Sequence, residues 1–189
     1  MEVNSFTIKA NGIANAIITE CEVFPSFNPA VTNPATVKGV KFNAIWDTGA
    51  TKSVISKNVV DALGLSNMGF VPVNHAGGQD VVPVYKVNIG LPNRVAIAEI
   101  KVSEGKIASA DVLIGMDIIT MGDFSLTNFE GKTIMSFRMP SIQKVDYVEE
   151  TELLNKYQRI HVLWAKHGNN KCPCGSSKTW EKCHGKNLV

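Results

Sequence analysis

Ala44-Ile45-Trp46-Asp47-Thr48-Gly49-Ala50-Thr51 is the stretch on which the reading of this chain turns. An apolar run ends in an acid, and Thr and Gly follow at once. A strand of this kind would carry Asp47 into a partly buried place, where desolvation makes a carboxylate costly. Thr48 adds a hydroxyl, and Gly49 removes a side chain so that another backbone or a ligand can come close. Taken alone, the tripeptide reads better as a strand-end Asp capping a turn.

The surroundings narrow the choice. From Ser5 to Pro140 the chain is rich in Val, Ile, Thr and Phe, in short runs broken by Gly, Pro and Asn. Strands are expected at Ser5–Lys9, Ala16–Phe24, Val37–Trp46, Val81–Ile89, Arg94–Val102, Val112–Ile114 and Thr133–Arg138. One helix is expected at Lys57–Leu63, stopped by Gly64, and Pro25–Pro34 reads as a surface loop. Many short strands with one short helix predict a small, mostly β, barrel-like domain. Sixty-five residues after Asp47 comes Val112-Leu113-Ile114-Gly115-Met116-Asp117, an apolar strand broken by glycine. Between the two lies His75-Ala76-Gly77-Gly78-Gln79-Asp80, a polar glycine pair that suits a mobile hairpin tip.

In this order and spacing, WDTGATKSVIS, the glycine-bearing hairpin and VLIG-x-D resemble the retropepsin-like aspartic proteases, the single-lobed relatives of retroviral proteases. The resemblance spans about Ser5 to Pro140. It implies hydrolysis of peptide bonds by two aspartates that share a proton and hold a water between them. With one Asp-Thr-Gly in the chain, it implies a C2 homodimer in which Asp47 of each copy meets on the axis. On the same pattern Thr48 would lock the two loops together, Gly49 would line the substrate floor, and Ala50 would pack beside the dyad. Gly77 and Gly78 would belong to a flap that closes over an extended peptide or protein substrate. Gly115 would sit where the second apolar strand passes behind the loop, and Asp117 would be structural, a turn or helix cap. Trp46 departs from the small aliphatic residue usual before the Asp; it either narrows a pocket or fills the core. Lys52 is a cation close in sequence to the dyad.

The cysteines mark a second region. Cys21 stands alone, far from the others, and reads as a small core residue. Cys172, Cys174 and Cys183 crowd into the last eighteen residues, with His184 next to the third. Three thiolates and an imidazole form a closed tetrahedral set for Zn2+, with no open position, so the site should be structural. Trp180 is the one large aromatic from Lys171 to Val189, so packing alone cannot fold this tail and metal would supply the folding energy. The run CPCGSSKTWEKCHGK resembles the SEC-C motif, the zinc-binding tail of the bacterial preprotein-translocase ATPase, and this resemblance implies a protein-docking role. Five Lys against one Glu from Lys166 onward suit an acidic or ribosomal partner surface.

Asp146–Lys166 holds neither Gly nor Pro, and Leu154, Tyr157, His161 and Trp164 recur at helical spacing. The expected organisation is therefore a retropepsin-like domain over 1–140, a helical linker over 141–166 and the zinc tail over 167–189. His161 and His167 read as face or linker histidines.

Composition sets the outer limits. The chain has 189 residues, 44% hydrophobic and 19% charged, with net charge +2. That is a soluble globular composition with no membrane-length apolar run. Met1–Ala10 lacks the pattern of a signal peptide, which points to the cytoplasm. Nucleic acid is the weaker reading of the tail, which offers one aromatic and no Arg for base recognition. The reading that fits best is an aspartic endopeptidase with no cofactor for catalysis and a zinc tail for partner or substrate docking. The alternative is a catalytically inactive dimeric binding module of the same fold.

Overall fold

The structure, a computed structural model, describes residues 2–75 and 78–186. It divides into two compact units, Met1–Ile142 and Gln143–Val189.

The first unit is built almost entirely from strands. Strand β3 (Val40–Trp46) shows why: Phe42, Ala44 and Trp46 are buried while Lys41 and Asn43 face solvent, a strict two-residue alternation. A seven-stranded sheet runs β2 (Ile18–Pro25), β3, β8 (Val112–Ile114), β4 (Val54–Ile55), β7 (Ala96–Glu104), β6 (Gly78–Gly90) and β5 (Phe70–His75). Strand β2 also pairs with β6, so six of these strands close into a ring and β5 is left outside. A separate three-stranded antiparallel sheet has the order β1 (Asn4–Lys9), β10 (Ile134–Met139), β9 (Asp123–Thr127). The core between them includes Val23, Ile55, Val87, Val112, Ile114 and Phe137.

Every strand expected from the sequence is present, Val112–Ile114 with the same bounds and the others with shifted ends. Strand β3 starts at Val40 rather than Val37 because Pro34–Thr36 form a 3-10 turn, capped by Asn33, whose side chain accepts from the Ala35 N–H. Strands β4, β5 and β9 were not expected. Strand β5 contains Pro72, which argues against a strand by pattern but is tolerated here because β5 is a sheet edge. Helix α1 (Lys57–Leu63) ends as expected at Gly64, which takes the left-handed conformation at φ 58° and donates its N–H to the carbonyls of Val60 and Asp61. At its other end the Ser56 hydroxyl and the Asn58 amide both donate to Asp111 Oδ1, tying the helix to the start of β8.

The second unit contains helix α3 (Tyr147–Ala165) and the cysteine-rich tail. Asp146 caps the helix, accepting the N–H groups of Val148 and Glu149 at 3.2 Å.

Candidate active site and metal centre

Strands β3 and β8 run parallel, with Trp46 opposite Ile114, so the two marker segments lie side by side. Where β3 ends, the Asp47 N–H donates to the Ile114 carbonyl at 3.0 Å. The Gly49 N–H then donates to Asp47 Oδ1 at 2.8 Å, fixing one carboxylate oxygen. Asp47 is half-buried, while Thr48 and Gly49 are exposed. Among the described residues the Thr48 hydroxyl has no hydrogen-bond partner within the chain. A Cβ on Gly49 would stand 3.2 Å from Asp47 Oδ1, crowding the same oxygen that its N–H serves.

The loop is clamped from behind. The Ala50 carbonyl accepts the Met116 N–H at 2.8 Å. Ser53 is fully buried; its hydroxyl accepts from the Gly115 N–H at 3.0 Å and donates to Asp117 Oδ1 at 2.7 Å. The Ser53 N–H donates to the same carboxylate at 3.0 Å. Asp117 therefore serves the Asp47 loop and does not cap helix α2 (Met116–Ile119), which has no side-chain cap. Gly115 is placed where only glycine fits: a Cβ would lie 2.6 Å from the Lys52 carbonyl carbon. Lys52 is exposed and its side chain has no acidic partner among the described residues.

Trp46 belongs to the core. It stacks on Phe124 at 5.8 Å between ring centres and tilts against Phe6 and Phe137. Its Nε1–H donates to the buried Thr19 hydroxyl at 3.0 Å. That partnership was invisible in the sequence, since nothing local links positions 19 and 46. Cys21 is also a core residue, and burial pushes its thiol up to about 12.

The glycine hairpin is β5–β6, paired from Phe70 opposite Pro83 to His75 opposite Gly78. Gly78 is exposed, with φ 129°. Gly77 lies outside the described residues. A cleft of about 1000 Å³ is lined by Val73 and Val82 of the hairpin together with Val54, Ile107, Asp111 and Leu113. Leu113 alternates with the buried Val112 and Ile114, so the strand that supports Asp47 also supplies this wall.

In the second unit the four donor atoms of Cys172, Cys174, Cys183 and His184 lie within 4.8 Å of one another. His184 Nδ1 is 3.2 Å from Cys172 Sγ and 3.4 Å from Cys183 Sγ, and Cys174 and Cys183 are 3.6 Å apart. The Cys172 N–H donates to the Lys178 carbonyl at 2.8 Å, and Gly175 at φ 81° makes the turn between them. The Ser176 hydroxyl and backbone pull the Cys174 thiol down to about 6, whereas burial raises that of Cys172. Such a donor set, soft and closely gathered, fits a metal ion.

Helix α3 supports this cluster with residues whose spacing, though not their roles, the sequence showed. Tyr157 packs on the His184 ring at 4.8 Å, and His161 stacks on the buried Trp180 at 4.7 Å and 12°. The buried His161 Nε2 has no hydrogen-bond partner among the described residues. Gly185 lies against the Trp180 indole, where any side chain would overlap the ring.

Residues 33–121 match the family described as "gag-polyprotein putative aspartyl protease", and residues 169–186 match the SEC-C motif. No curated protein matches the chain. Among solved structures, a retropepsin-like aspartic protease from Rickettsia conorii is similar at 14% identity and TM-score 0.44, over 73% of this chain and 96% of that one. The protease of simian foamy virus (mac) is similar at 17% identity and TM-score 0.38, over 55% of this chain and 91% of that one. By these two matches the chain resembles the aspartyl protease family over 33–121 and the SEC-C motif over 169–186, one in each compact unit.

Proposed function

We propose that this protein is an aspartic endopeptidase whose dyad is assembled from Asp47 of two copies. The observation that carries the reading is the Asp47-Thr48-Gly49 loop itself, anchored by Ile114, Gly115 and Ser53 yet exposed at its tip. An exposed Thr48 hydroxyl without a partner among the described residues of its own chain is what a loop that meets its twin requires. Two close carboxylates cannot both ionise cheaply, so one stays protonated and the pair titrates as a unit. The ionised member takes a proton from the water as it attacks the scissile carbonyl. The protonated member donates to the carbonyl oxygen, and a later proton transfer to the amide nitrogen releases the two peptide ends. The Gly49 N–H holds Oδ1 of each carboxylate, which leaves Oδ2 to face the water. The cleft beside β8 suits an extended peptide with apolar side chains, and the glycine hairpin with Gly77 and Gly78 would close over it.

In the tail we propose Zn2+ on Cys172, Cys174, Cys183 and His184. A tetrahedral site with Zn–S near 2.3 Å sets its sulfurs about 3.8 Å apart, close to the Cys174–Cys183 separation of 3.6 Å. With four protein donors the ion would hold the tail folded and take no part in hydrolysis. The lysines around it suit an acidic docking partner.

The test compares wild type with Asp47→Asn on a mixed peptide library between pH 4 and 7, reading cuts by mass spectrometry. Cuts made by wild type alone are expected. Equal cutting by the variant would remove Asp47 from the chemistry, and no cutting by a stable wild-type dimer would leave a binding module.

A further inference from the structure

Strand β4 lies between β7 and β8, and the register of the three strands sets out one face of the sheet in rows. Val54 stands opposite Ser103 on one side and Leu113 on the other. Two residues on, where side chains return to the same face, come Ser56, Gly105 and Asp111. The Ser56 N–H donates to the Asp111 carbonyl at 2.8 Å, and the Gly105 N–H donates to the Ile55 carbonyl at 3.0 Å. All six residues of the two rows line the cleft of about 1000 Å³. Its floor is apolar at Val54 and Leu113, beside the strand end that holds Asp47, and acidic in the next row.

Asp111 is firmly held and left charged. Its N–H donates to the Asn43 carbonyl at 3.0 Å, and its Oδ1 accepts the Ser56 hydroxyl at 2.9 Å and the Asn58 amide at 3.0 Å. These donors are neutral. Among the described residues Oδ2 accepts no hydrogen bond, and no cation pairs with the half-buried carboxylate. Glu104, on the far side of β4, also has a neutral partner, the Tyr85 hydroxyl at 2.9 Å. A third acid, Asp80, lines the hairpin side. Two lysines line the same cleft without offsetting Asp111. Lys57 Nζ is bound to Asp61 at 2.5 Å, and the exposed Lys106 pairs with no acid among the described residues. A carboxylate set between apolar walls projects a stronger field than one on an open surface.

We propose that Asp111 is a specificity-determining residue. The cleft takes peptides with an apolar side chain over Val54 and Leu113 and a lysine or arginine within three residues of the scissile bond, its charge paired with Asp111 Oδ2. The reach follows from the strand. Asp47 is tied to Ile114, and Asp111 lies three residues back along the chain. That is about 10 Å of strand, which an extended peptide covers in about three residues. The inference rests on the protease reading and narrows its substrate class from apolar peptides to peptides that are apolar and basic together. An acid that only tied α1 to β8 would need Oδ1 and would impose no such preference.

The experiment uses the full chain and short peptides with a Leu-Leu centre. Each carries Lys, norleucine or Glu at the second or third position on either side; norleucine keeps an apolar stem without the charge. Cleavage gives kcat/KM for wild type and Asp111→Asn, with Asp47→Asn as the blank, and fluorescence anisotropy gives peptide affinity for the same three proteins. Asp111→Asn keeps an oxygen for Ser56 and Asn58 and removes the charge. Each ratio compares two peptides on one protein, so a general loss of activity cancels. The expected result is a wild-type preference for Lys over norleucine on the order of 10-fold, smaller at high salt and lost in Asp111→Asn. Asp47-dependent cutting that treats Lys and norleucine alike, favours Glu, or keeps its Lys preference in Asp111→Asn overturns the inference and leaves the protease reading intact. If wild type does not cut, or Asp47→Asn cuts equally, the protease reading fails and the affinities decide. A Lys preference lost in Asp111→Asn then upholds the basic selectivity of the cleft, and equal affinities end it. If Asp111→Asn does not fold, the wild-type ratio and its salt dependence decide alone.

Discussion

The β unit is ordered around side chains such as Val23, Ile55, Ile114 and Met135, each with no solvent exposure. In Gln143–Val189, among the described residues, only Cys172, Trp180 and Gly185 are buried, and helix α3 buries none. Of these, Cys172 is one of the four gathered donors and Gly185 follows the last of them. The first region has an extended apolar core. The second has a donor cluster with one indole, one imidazole and one phenol leaning on it. Local structure thus rests on burial in one case and on a few donor atoms in the other.

Stripping metal should have the largest effect and should be confined to one side. Ion binding at a structural site of this kind is worth about 10 kcal/mol or more. A strong chelator, or Cys183→Ser, is expected to abolish exchange protection across 171–186 while the amides of β3 and β8 keep theirs. Metal content by mass spectrometry should fall from one zinc per chain to none. Concerted loss of protection in both units would mean that the metal holds the β unit as well.

The reciprocal experiment is Phe137→Ala. Phe137 is 1% exposed and touches both Phe6 and Trp46. Its removal should cost about 3–5 kcal/mol, read as a lower urea midpoint for the β unit. The zinc content should remain at one per chain.

Two glycines allow the same comparison at smaller amplitude. Gly115→Ala would drive a Cβ into the Lys52 backbone, and Gly185→Ala would drive one into the Trp180 ring. Overpacking of this kind costs about 1–3 kcal/mol. Gly115→Ala should also displace the Asp47 loop, so cleavage is expected to fall further than the midpoint. Gly185→Ala should instead weaken zinc retention under a competing chelator, with cleavage of a short peptide unaffected.

Much of this contrast was legible in the residues, for a physical reason. A strand-end Asp-Thr-Gly and a Cys-Pro-Cys-Gly…Cys-His run are local patterns, and local patterns survive being read along a line. Helix α1 and its stop at Gly64 were legible because left-handed backbone favours glycine. What escaped was what lies across space. Ser53 bonds Gly115 and Asp117, and Trp46 bonds Thr19, through pairings that exist only once β2, β3 and β8 are side by side. Strand β4 was too short to have a period, and β5 was hidden by Pro72. Strand β9 was missed because Asp-Phe-Ser-Leu-Thr is half polar. Asp117 was expected to cap a turn or helix and instead serves Ser53, a distinction spacing cannot make. His161, which read as a face histidine, is a stacking partner of Trp180.

The smallest expected effect concerns acid, and it bears on whether the β unit can work where such dyads work. Asp123 accepts from the Ile142 N–H, the Ser141 hydroxyl and Arg138, and together these hold its carboxyl down at about 2. A carboxylate whose folded value lies below its unfolded one, near 4, stabilises the fold only where the unfolded chain would also be ionised. The contribution is therefore complete above about pH 4 and lost as pH falls through about 2. Asp123→Asn should lower the urea midpoint of the β unit at pH 7, and the gap from wild type should close on acidification toward pH 2. A gap that stayed constant with pH would mean that the geometry at Asp123, and not its charge, does the holding. The bonds it accepts pin the segment after β10 to the start of β9. Across the range from pH 4 to 7 this lock stays shut, so a fall in cleavage within that range would not come from protonation of Asp123.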